Sequence, residues 1–281
     1  MNVGFVGLGN LGLPLVRTLL RGDWPVTVFD PAAERVAECV RAGAAEAGSP
    51  TGLADRDLLV LAVPDDAAVN GVLSGRDGVL ARMAPGSVVV LHSTVLPRTA
   101  VTLAEEGARH GVGVLDAPVS GGPERAGTGD LTVMVGGEED HVARARPLLE
   151  AVGSHVLHVG PSGAGSAAKL ANQLMMFSAL AGAHEALALA AACGVPEDDV
   201  LEIASTGLGD SWVARNWGFF DRMAADYDRV GTPVSERSWS KDLWDVVAAA
   251  RDTGLRLPVA GLLSQHLSDV VEDHARREAS S

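Results

Sequence analysis

The stretch Asn2-Val3-Gly4-Phe5-Val6-Gly7-Leu8-Gly9-Asn10-Leu11-Gly12 decides how this chain reads: an apolar strand runs into a Gly-x-Gly-x-x-Gly turn and then into a helical segment. In such a unit Gly7 makes the tight turn, Gly9 lets backbone approach a pyrophosphate, and Gly12 lets the helix lie close on the sheet. The phosphates sit at the helix N-terminus, where unpaired N–H groups favour negative charge. The triplet alone is a weak signal, and its surroundings strengthen it. Leu13 to Leu20 carry apolar residues at helical spacing, and a second strand, Val26-Thr27-Val28-Phe29, ends at Asp30. That acid falls roughly 20 residues beyond the glycine turn, where a carboxylate accepts hydrogen bonds from the adenosine ribose. Asp30-Pro31 also reads as an ordinary turn or helix cap. A ribose 2′-phosphate would be repelled by Asp30, and Arg35 is the nearest following cation, so the pattern favours NAD over NADP.

With 281 residues, 47% of them hydrophobic, the chain is long enough for two globular domains, since single cores seldom grow beyond about 250 residues. Its net charge of −14 argues against nucleic acid or an anionic membrane as partner. Cys39 and Cys193 are isolated, without metal-ligand spacing or reason to infer a disulfide, which suits a reducing compartment. The glycine turn interrupts the first apolar run and no basic stretch precedes it, so the expectation is a cytoplasmic protein without a signal peptide.

Strand and helix signals then alternate. Asp57 to Val63, Ser87 to His92, Gly113 to Ala117, Thr132 to Val135 and His155 to Val159 read as short strands, and Ala32 to Ala42, Thr99 to His110 and His141 to Val152 as helices. This predicts a doubly wound α/β domain with a mostly parallel sheet over residues 1–162. From Ser166 the texture changes to a long helix, apolar nearly all round, through Ala192. His184-Glu185 interrupt its apolar run short of the roughly 20 residues a membrane span needs, so a helix buried at a domain or subunit junction is expected. Residues 163–281 read as an all-helical domain ending in a polar, frayed tail over His274 to Ser281.

Three segments place polar groups among small or apolar ones. Asp116-Ala117-Pro118-Val119-Ser120-Gly121-Gly122 is a strand end opening into a glycine-rich turn; its backbone N–H groups and the Ser120 hydroxyl suit a small anion-binding nest, or the segment is a plain loop. Lys169, Asn172 and Gln173 share one face of the long helix. A buried lysine there suits proton exchange near neutral pH, whereas a lysine reaching out to water would be only a solubilising group. Ser240-Lys241-Asp242-Leu243, between Trp239 and Trp244, reads on its own as a solvated helix face.

In order and rough spacing, five segments resemble the β-hydroxyacid dehydrogenase family, which includes 3-hydroxyisobutyrate dehydrogenase and tartronate semialdehyde reductase. They are Gly7 to Gly12, Ser93-Thr94-Val95-Leu96-Pro97, Asp116 to Gly122, Gly163 to Gln173, and Ser240 to Leu243. The resemblance spans nearly the whole chain. It implies an N-terminal Rossmann-type domain, a C-terminal helical domain that drives dimer or tetramer formation, and a site between the two. It further implies that Lys169 is the catalytic lysine, that Asn172 and Gln173 orient the lysine or substrate, and that Ser120, Gly121 and Gly122 hold a substrate carboxylate. Gly7, Leu8, Gly9, Asn10, Leu11, Gly12, Asp30, Val63, Pro64 and Thr94 would line an NAD or NADP cofactor, with Lys241 reaching cofactor or substrate. No metal is implied. Many members carry two asparagines where this chain has Asn172-Gln173, and His92 is unusual before Ser93.

The expected reaction is reversible oxidation of a small β-hydroxy acid, with Lys169 handling the proton. Imine reductases resemble the same architecture but commonly carry another residue at the lysine position. A nicotinamide-binding sensor without turnover is the alternative from outside the enzymes. Trp212, Trp217, Phe219 and Phe220 either line a substrate pocket or belong to the helical core.

Overall fold

The computed structural model describes residues 1–278. The chain forms two compact units, Met1–Lys169 and Leu170–Ser281. In the first, β1 (Val3–Val6), α1 (Gly12–Arg21), β2 (Val26–Phe29), α2 (Ala33–Arg41), β3 (Ala45–Glu46), β4 (Leu58–Leu61), α3 (Asp66–Leu73) and β5 (Val88–Leu91) follow one another. Then come α4 (Pro97–Arg109), β6 (Gly113–Asp116), β7 (Val119–Ser120), α5 (Gly122–Thr128), β8 (Thr132–Gly136), α6 (Glu139–Val152) and β9 (His155–Gly160).

The strands join in one sheet of order β3-β2-β1-β4-β5-β6-β8-β7, with β9 beside β8. From β3 to β6 all neighbours are parallel, Val3 lying between Val26 and Leu58. β8 runs antiparallel to β6 and β7, and β9 runs parallel to β8. This is the doubly wound α/β domain the alternation predicts. β3 and β7, two residues each, are too short to show a period in the sequence.

Because the central strands are covered on both faces, they read as unbroken apolar runs. Successive side chains go to opposite sides: Leu58 and Val60 join Leu15, Val16 and Leu19 of α1 and Leu148 and Leu149 of α6, while Leu59 and Leu61 join Val69 and Leu73 of α3 and Leu103 of α4. Local sequence sets the helix starts. The Asp65 carboxylate accepts from the Ala68 N–H at 2.8 Å and caps α3, and Pro97 opens α4, where a missing N–H costs nothing.

α7 (Ala164–Ala192) crosses the division between the units, and α8 (Glu197–Thr206), α9 (Trp212–Arg215), α10 (Phe219–Val230), α11 (Ser238–Thr253) and α12 (Pro258–Glu278) complete the second unit. α7 runs through His184-Glu185 without a break, and by length and composition alone it is apolar enough to cross a membrane. Its Phe177 and Leu180, however, are buried with Phe220, Trp239, Leu243, Leu263 and Leu267 in the helical core. The expected frayed tail is helical through Glu278, because His274 pairs with Asp221 at 2.7 Å and lies edge-on to Trp217; its last three residues lie outside the described residues.

A buried charge cluster ties the start of α11 to α12 in the helical unit. Arg237, at the start of α11, donates from one Nη to both oxygens of Glu272 on α12, at 2.9 and 2.8 Å. Trp239 Nε1–H donates to the same carboxylate at 3.1 Å, and the other Nη of Arg237 bonds Asp228. Removing one member of a buried pair strands the other charge. Glu272→Ala is therefore expected to cost about 3–5 kcal/mol in urea unfolding, whereas Asp228→Ala, whose side chain is 70% exposed, should cost at most about 1 kcal/mol.

Each unit also holds a histidine as the neutral ring, fully buried at His92 and partly buried at His184. Burial is the main cause in both: it lowers His92 to about 4 against the pull of the Ala117 carbonyl, and lowers His184 to about 4 with help from repulsion by His274. The unfolded chain takes up these protons as pH falls through about 6.5, the folded chain only near 4, so stability is complete above that window and lost on acidification within it. Between pH 7.5 and 5 the His92 contribution is about 2 kcal/mol. His92→Asn should shrink the pH-dependent loss of unfolding free energy by that amount; an unchanged loss would show that this ring is not held neutral.

Candidate functional site

The carboxyl ends of the parallel strands gather the polar residues of the first unit, as expected where strand order reverses between β1 and β4. The three glycines differ in what they meet. Gly7 has φ +93°, and a Cβ there would collide with the Ala62 carbonyl after β4. A Cβ at Gly12 would strike the Gly7 carbonyl, which shows how closely α1 starts against the turn. At Gly9 a Cβ would meet nothing within 4 Å. The turn is thus closed by Gly7 and Gly12 and open at Gly9, which fits a dinucleotide pyrophosphate laid on the backbone at the start of α1.

Asp30, at the end of β2, accepts from the Leu8 N–H at 2.6 Å and the Ala32 N–H at 2.8 Å. Its carboxylate therefore braces the glycine turn and also the short link into α2, with one lone pair on each oxygen left for a diol. Val63, beyond β4, donates its N–H to Ser93 Oγ at 2.8 Å, so the Val63-Pro64 and Ser93-Thr94 segments are tied together. Asp66 of α3 accepts from the Leu96 N–H at 3.1 Å and fixes the far end of the second segment.

The strongest constraint lies at the end of β6. Asp116, 1% exposed, accepts from the Gly163 N–H at 2.8 Å and the Ser166 N–H at 2.7 Å, capping α7 from another element. Burial raises its pKa, and these backbone donors oppose the rise. Gly165 runs so close that a Cβ would overlap the carbonyls of Asp116 and Met134, and a Cβ on Gly136 would come within 2.6 Å of the Asp116 carboxylate. The absence of a side chain at Gly136 and Gly165 thus lets the first turn of α7 seat on the sheet.

One turn further along α7, Lys169 is 8% exposed and donates from Nζ to the Val119 carbonyl at 2.9 Å. It does not reach out to water. The bond places its ammonium one residue from Ser120, where Gly121 and Gly122 both take positive φ, +139° and +74°. Two segments far apart in sequence, Asp116 to Gly122 and Gly163 to Lys169, are therefore one piece of structure.

In the second unit, Gln173 is buried and donates from Nε2 to Asp242 Oδ2 at 2.6 Å. An ionised carboxylate only accepts, so Asp242 turns the amide nitrogen toward itself and leaves Oε1 facing Asn172 Nδ2 at 3.5 Å. Lys241 donates to Asp242 Oδ1 at 3.3 Å and to Asp245 Oδ2 at 2.7 Å. Burial alone would lower its pKa, but the two carboxylates together raise it, and the group stays charged. Ser240 to Leu243 is therefore a buried face of α11, not a solvated one. The spacing Lys241/Asp245 is a helical i, i+4 pair that sequence reading passed over; the Gln173–Asp242 bond has no local signal at all.

The aromatic residues divide. Phe220 is core, against Phe177 and Trp239; Trp217 packs against a tilted His184 and an edge-on His274; and Trp212, 41% exposed, leans edge-on to Phe219. Trp217 and Phe220 also line a shallow depression together with Leu180, His184 and Val213. Among the described residues, no group of three or more His, Cys, Asp or Glu is placed to hold a metal ion.

Residues 2–160 match the family model described as the NAD binding domain of 6-phosphogluconate dehydrogenase, and residues 163–281 match that described as NAD-binding of NADP-dependent 3-hydroxyisobutyrate dehydrogenase. The chain is 34% identical, over 99% of its length and 95% of the relative's, to an NAD-dependent L-serine dehydrogenase of Pseudomonas aeruginosa. Among solved structures it superimposes on 3-hydroxyisobutyrate dehydrogenase from Salmonella typhimurium with a TM-score of 0.79 at 34% identity, covering 94% of this chain and 92% of that one. On the Mycobacterium tuberculosis 3-hydroxyisobutyrate dehydrogenase solved with L-serine, the TM-score is 0.81 at 28% identity, covering 98% and 94%. With a nucleotide turn, a capped lysine helix and relatives matched from end to end, the chain belongs to the β-hydroxyacid dehydrogenase family of nicotinamide-dependent oxidoreductases.

Proposed function

We propose that this protein interconverts a small β-hydroxy acid and its semialdehyde or keto acid, a pair of the 3-hydroxyisobutyrate or tartronate semialdehyde type, by hydride transfer with a nicotinamide cofactor and with Lys169 as general acid and base. The observation that carries the reading is the Lys169 ammonium, buried and one residue from Ser120. A carboxylate held by Ser120, Gly121 and Gly122 puts an anchored charge beside a proton-transfer group. That spacing suits a substrate whose carboxylate and hydroxyl are separated by two carbons. L-serine, named with two relatives, is itself such an acid.

The bound nicotinamide supplies the hydride acceptor or donor. In oxidation, neutral Lys169 takes the proton from the substrate hydroxyl; in reduction, its ammonium donates to the carbonyl oxygen as negative charge grows there. Asn172 and Gln173 orient the substrate or the lysine, with Asp242 fixing the Gln173 amide. Gly7 to Gly12 hold the pyrophosphate, Val63, Pro64 and Thr94 line the nucleotide, and Lys241 reaches cofactor or substrate. Asp30 favours NAD, because a 2′-phosphate beside a carboxylate already braced on the glycine turn would be repelled.

Absorbance of reduced nicotinamide, followed with NAD or NADP and a panel of β-hydroxy acids, tests this reading. The wild type is expected to turn over at least one acid with NAD preferred, and Lys169→Ala to lower kcat by about 10²–10⁴-fold while nucleotide binding and folding persist. Near wild-type turnover in that variant would remove Lys169 from the chemistry.

The second unit is proposed to form a homodimer or tetramer. Of an 18-residue apolar window of α7 only 17% is buried within the chain, and Met175, Leu189 and Ile203 are each about two-thirds exposed, at 67%, 69% and 66%. Apolar surface on this scale favours association with a second copy. Two unpaired cysteines, Cys39 buried and Cys193 exposed, suit a reducing compartment, and the cytoplasm is proposed as the location. Light scattering at micromolar concentration should give a dimer or tetramer, and Met175→Glu with Leu189→Glu should shift it to monomer; a monomeric wild type overturns the assignment.

A further inference from the structure

We propose that His92 is a positioning residue: its ring N–H holds the Ala117–Gly122 segment in the place that sets Lys169 beside Ser120. His92 follows β5 directly and is buried. Its main-chain N–H donates to the Leu61 carbonyl of β4 at 2.9 Å, and its ring Nδ1 lies 2.7 Å from the Ala117 carbonyl beyond β6. One residue thereby joins the carboxyl ends of three strands. These are the ends from which Val63-Pro64, Thr94 and Ser120-Gly121-Gly122 depart.

A carbonyl oxygen only accepts, so Nδ1 carries the proton and Nε2 keeps its lone pair. Nε2 is buried and has no hydrogen-bond partner among the described residues. The Nδ1–H donor is thus the ring's whole polar contribution to the structure. The main-chain ladder between β5 and β6 ends where the Ala117 N–H donates to the Leu91 carbonyl at 2.8 Å; the ring supplies the next rung.

Three consecutive carbonyls of the segment are then accounted for. Ala117 is held by His92, Pro118 by the Met134 N–H of β8 at 3.0 Å, and Val119 by Lys169 Nζ. Releasing the first loosens the third, because two residues of extended chain separate them. Without the His92 donor, the Val119 carbonyl shifts from the ammonium, and with it the distance from Lys169 to Ser120. The consequence for turnover rests on the acid/base role proposed above for Lys169; the geometric consequence does not.

The test compares His92→Leu, which removes the donor, with His92→Asn, whose amide nitrogen stands where Nδ1 stands. Two readouts are taken: the kcat/KM and pH–rate profile for a β-hydroxy acid, and the labelling rate of Lys169 by trinitrobenzenesulfonate, followed by mass spectrometry without any substrate. In the leucine variant kcat/KM is expected to fall about ten- to hundred-fold while nucleotide affinity stays within about threefold. The lysine limb of its pH profile should move and Lys169 should label several-fold faster. The asparagine variant should restore both readouts. Should His92→Leu not fold, His92→Gln, which carries its donor one bond further out, takes its place with the same expectation. Wild-type labelling and pH profile in the donor-deleted or donor-shifted variant overturns the proposal, as does an asparagine variant as impaired as the leucine one. If the wild type turns over no hydroxy acid, the labelling comparison decides the positioning role by itself, and only the reading of the reaction fails.

Discussion

The Asp116 carboxylate, buried at the end of β6 and receiving the N–H groups of Gly163 and Ser166, is the constraint from which the site follows. A helix start carries unpaired donors, and a buried carboxylate needs donors if it is to keep its charge. Each meets the other's requirement. The result is a fixed origin for α7, so that Lys169 falls where its ammonium meets the Val119 carbonyl, close to the point where the β6 chain turns into Ser120. Without that origin, a lysine near a helix start would extend to water.

The same economy of polar groups recurs wherever charge is buried. Glu272 receives one Nη of Arg237 on both its oxygens and the Trp239 indole as second donor, the rest of the guanidinium going to Asp228 and the Thr232 carbonyl, and Lys241 is flanked by Asp242 and Asp245. Asp242 serves two partners, turning the Gln173 amide while neutralising Lys241. Such networks contribute geometry more than net stability, because desolvation cancels much of the attraction. Their value here is that side chains which would otherwise sample several rotamers have one orientation.

The nucleotide half of the site was legible in the sequence because it is local. Gly7 and Gly12 answer two different steric demands and Gly9 leaves the turn open between them, all within six residues, and Asp30 meets the turn across a single βαβ step, so spacing carries the information. The lysine half was legible only as a set of alternatives. Lys169 on an apolar helix reads equally as a buried acid/base or a surface group, and Ser240 to Leu243 reads more readily as a solvated face than as the buried face it is. His92 had no account at all from the sequence, since its partner Ala117 lies across a sheet.

What the sequence by itself determined is what short-range sterics and periodicity determine: the alternation of strands and helices, the glycine turn, the acid at the end of β2, and the change to helical texture near residue 163. Tertiary structure alone decided which polar groups are satisfied and by whom. The Asp116 cap on α7, the Lys169 bond to Val119, the His92 rung on Ala117 and the Gln173–Asp242 pair each join residues more than twenty positions apart. A hydrogen bond acts over about 3 Å whatever the separation along the chain, so these partnerships exist only once the sheet has brought the strand ends together and the helices have packed.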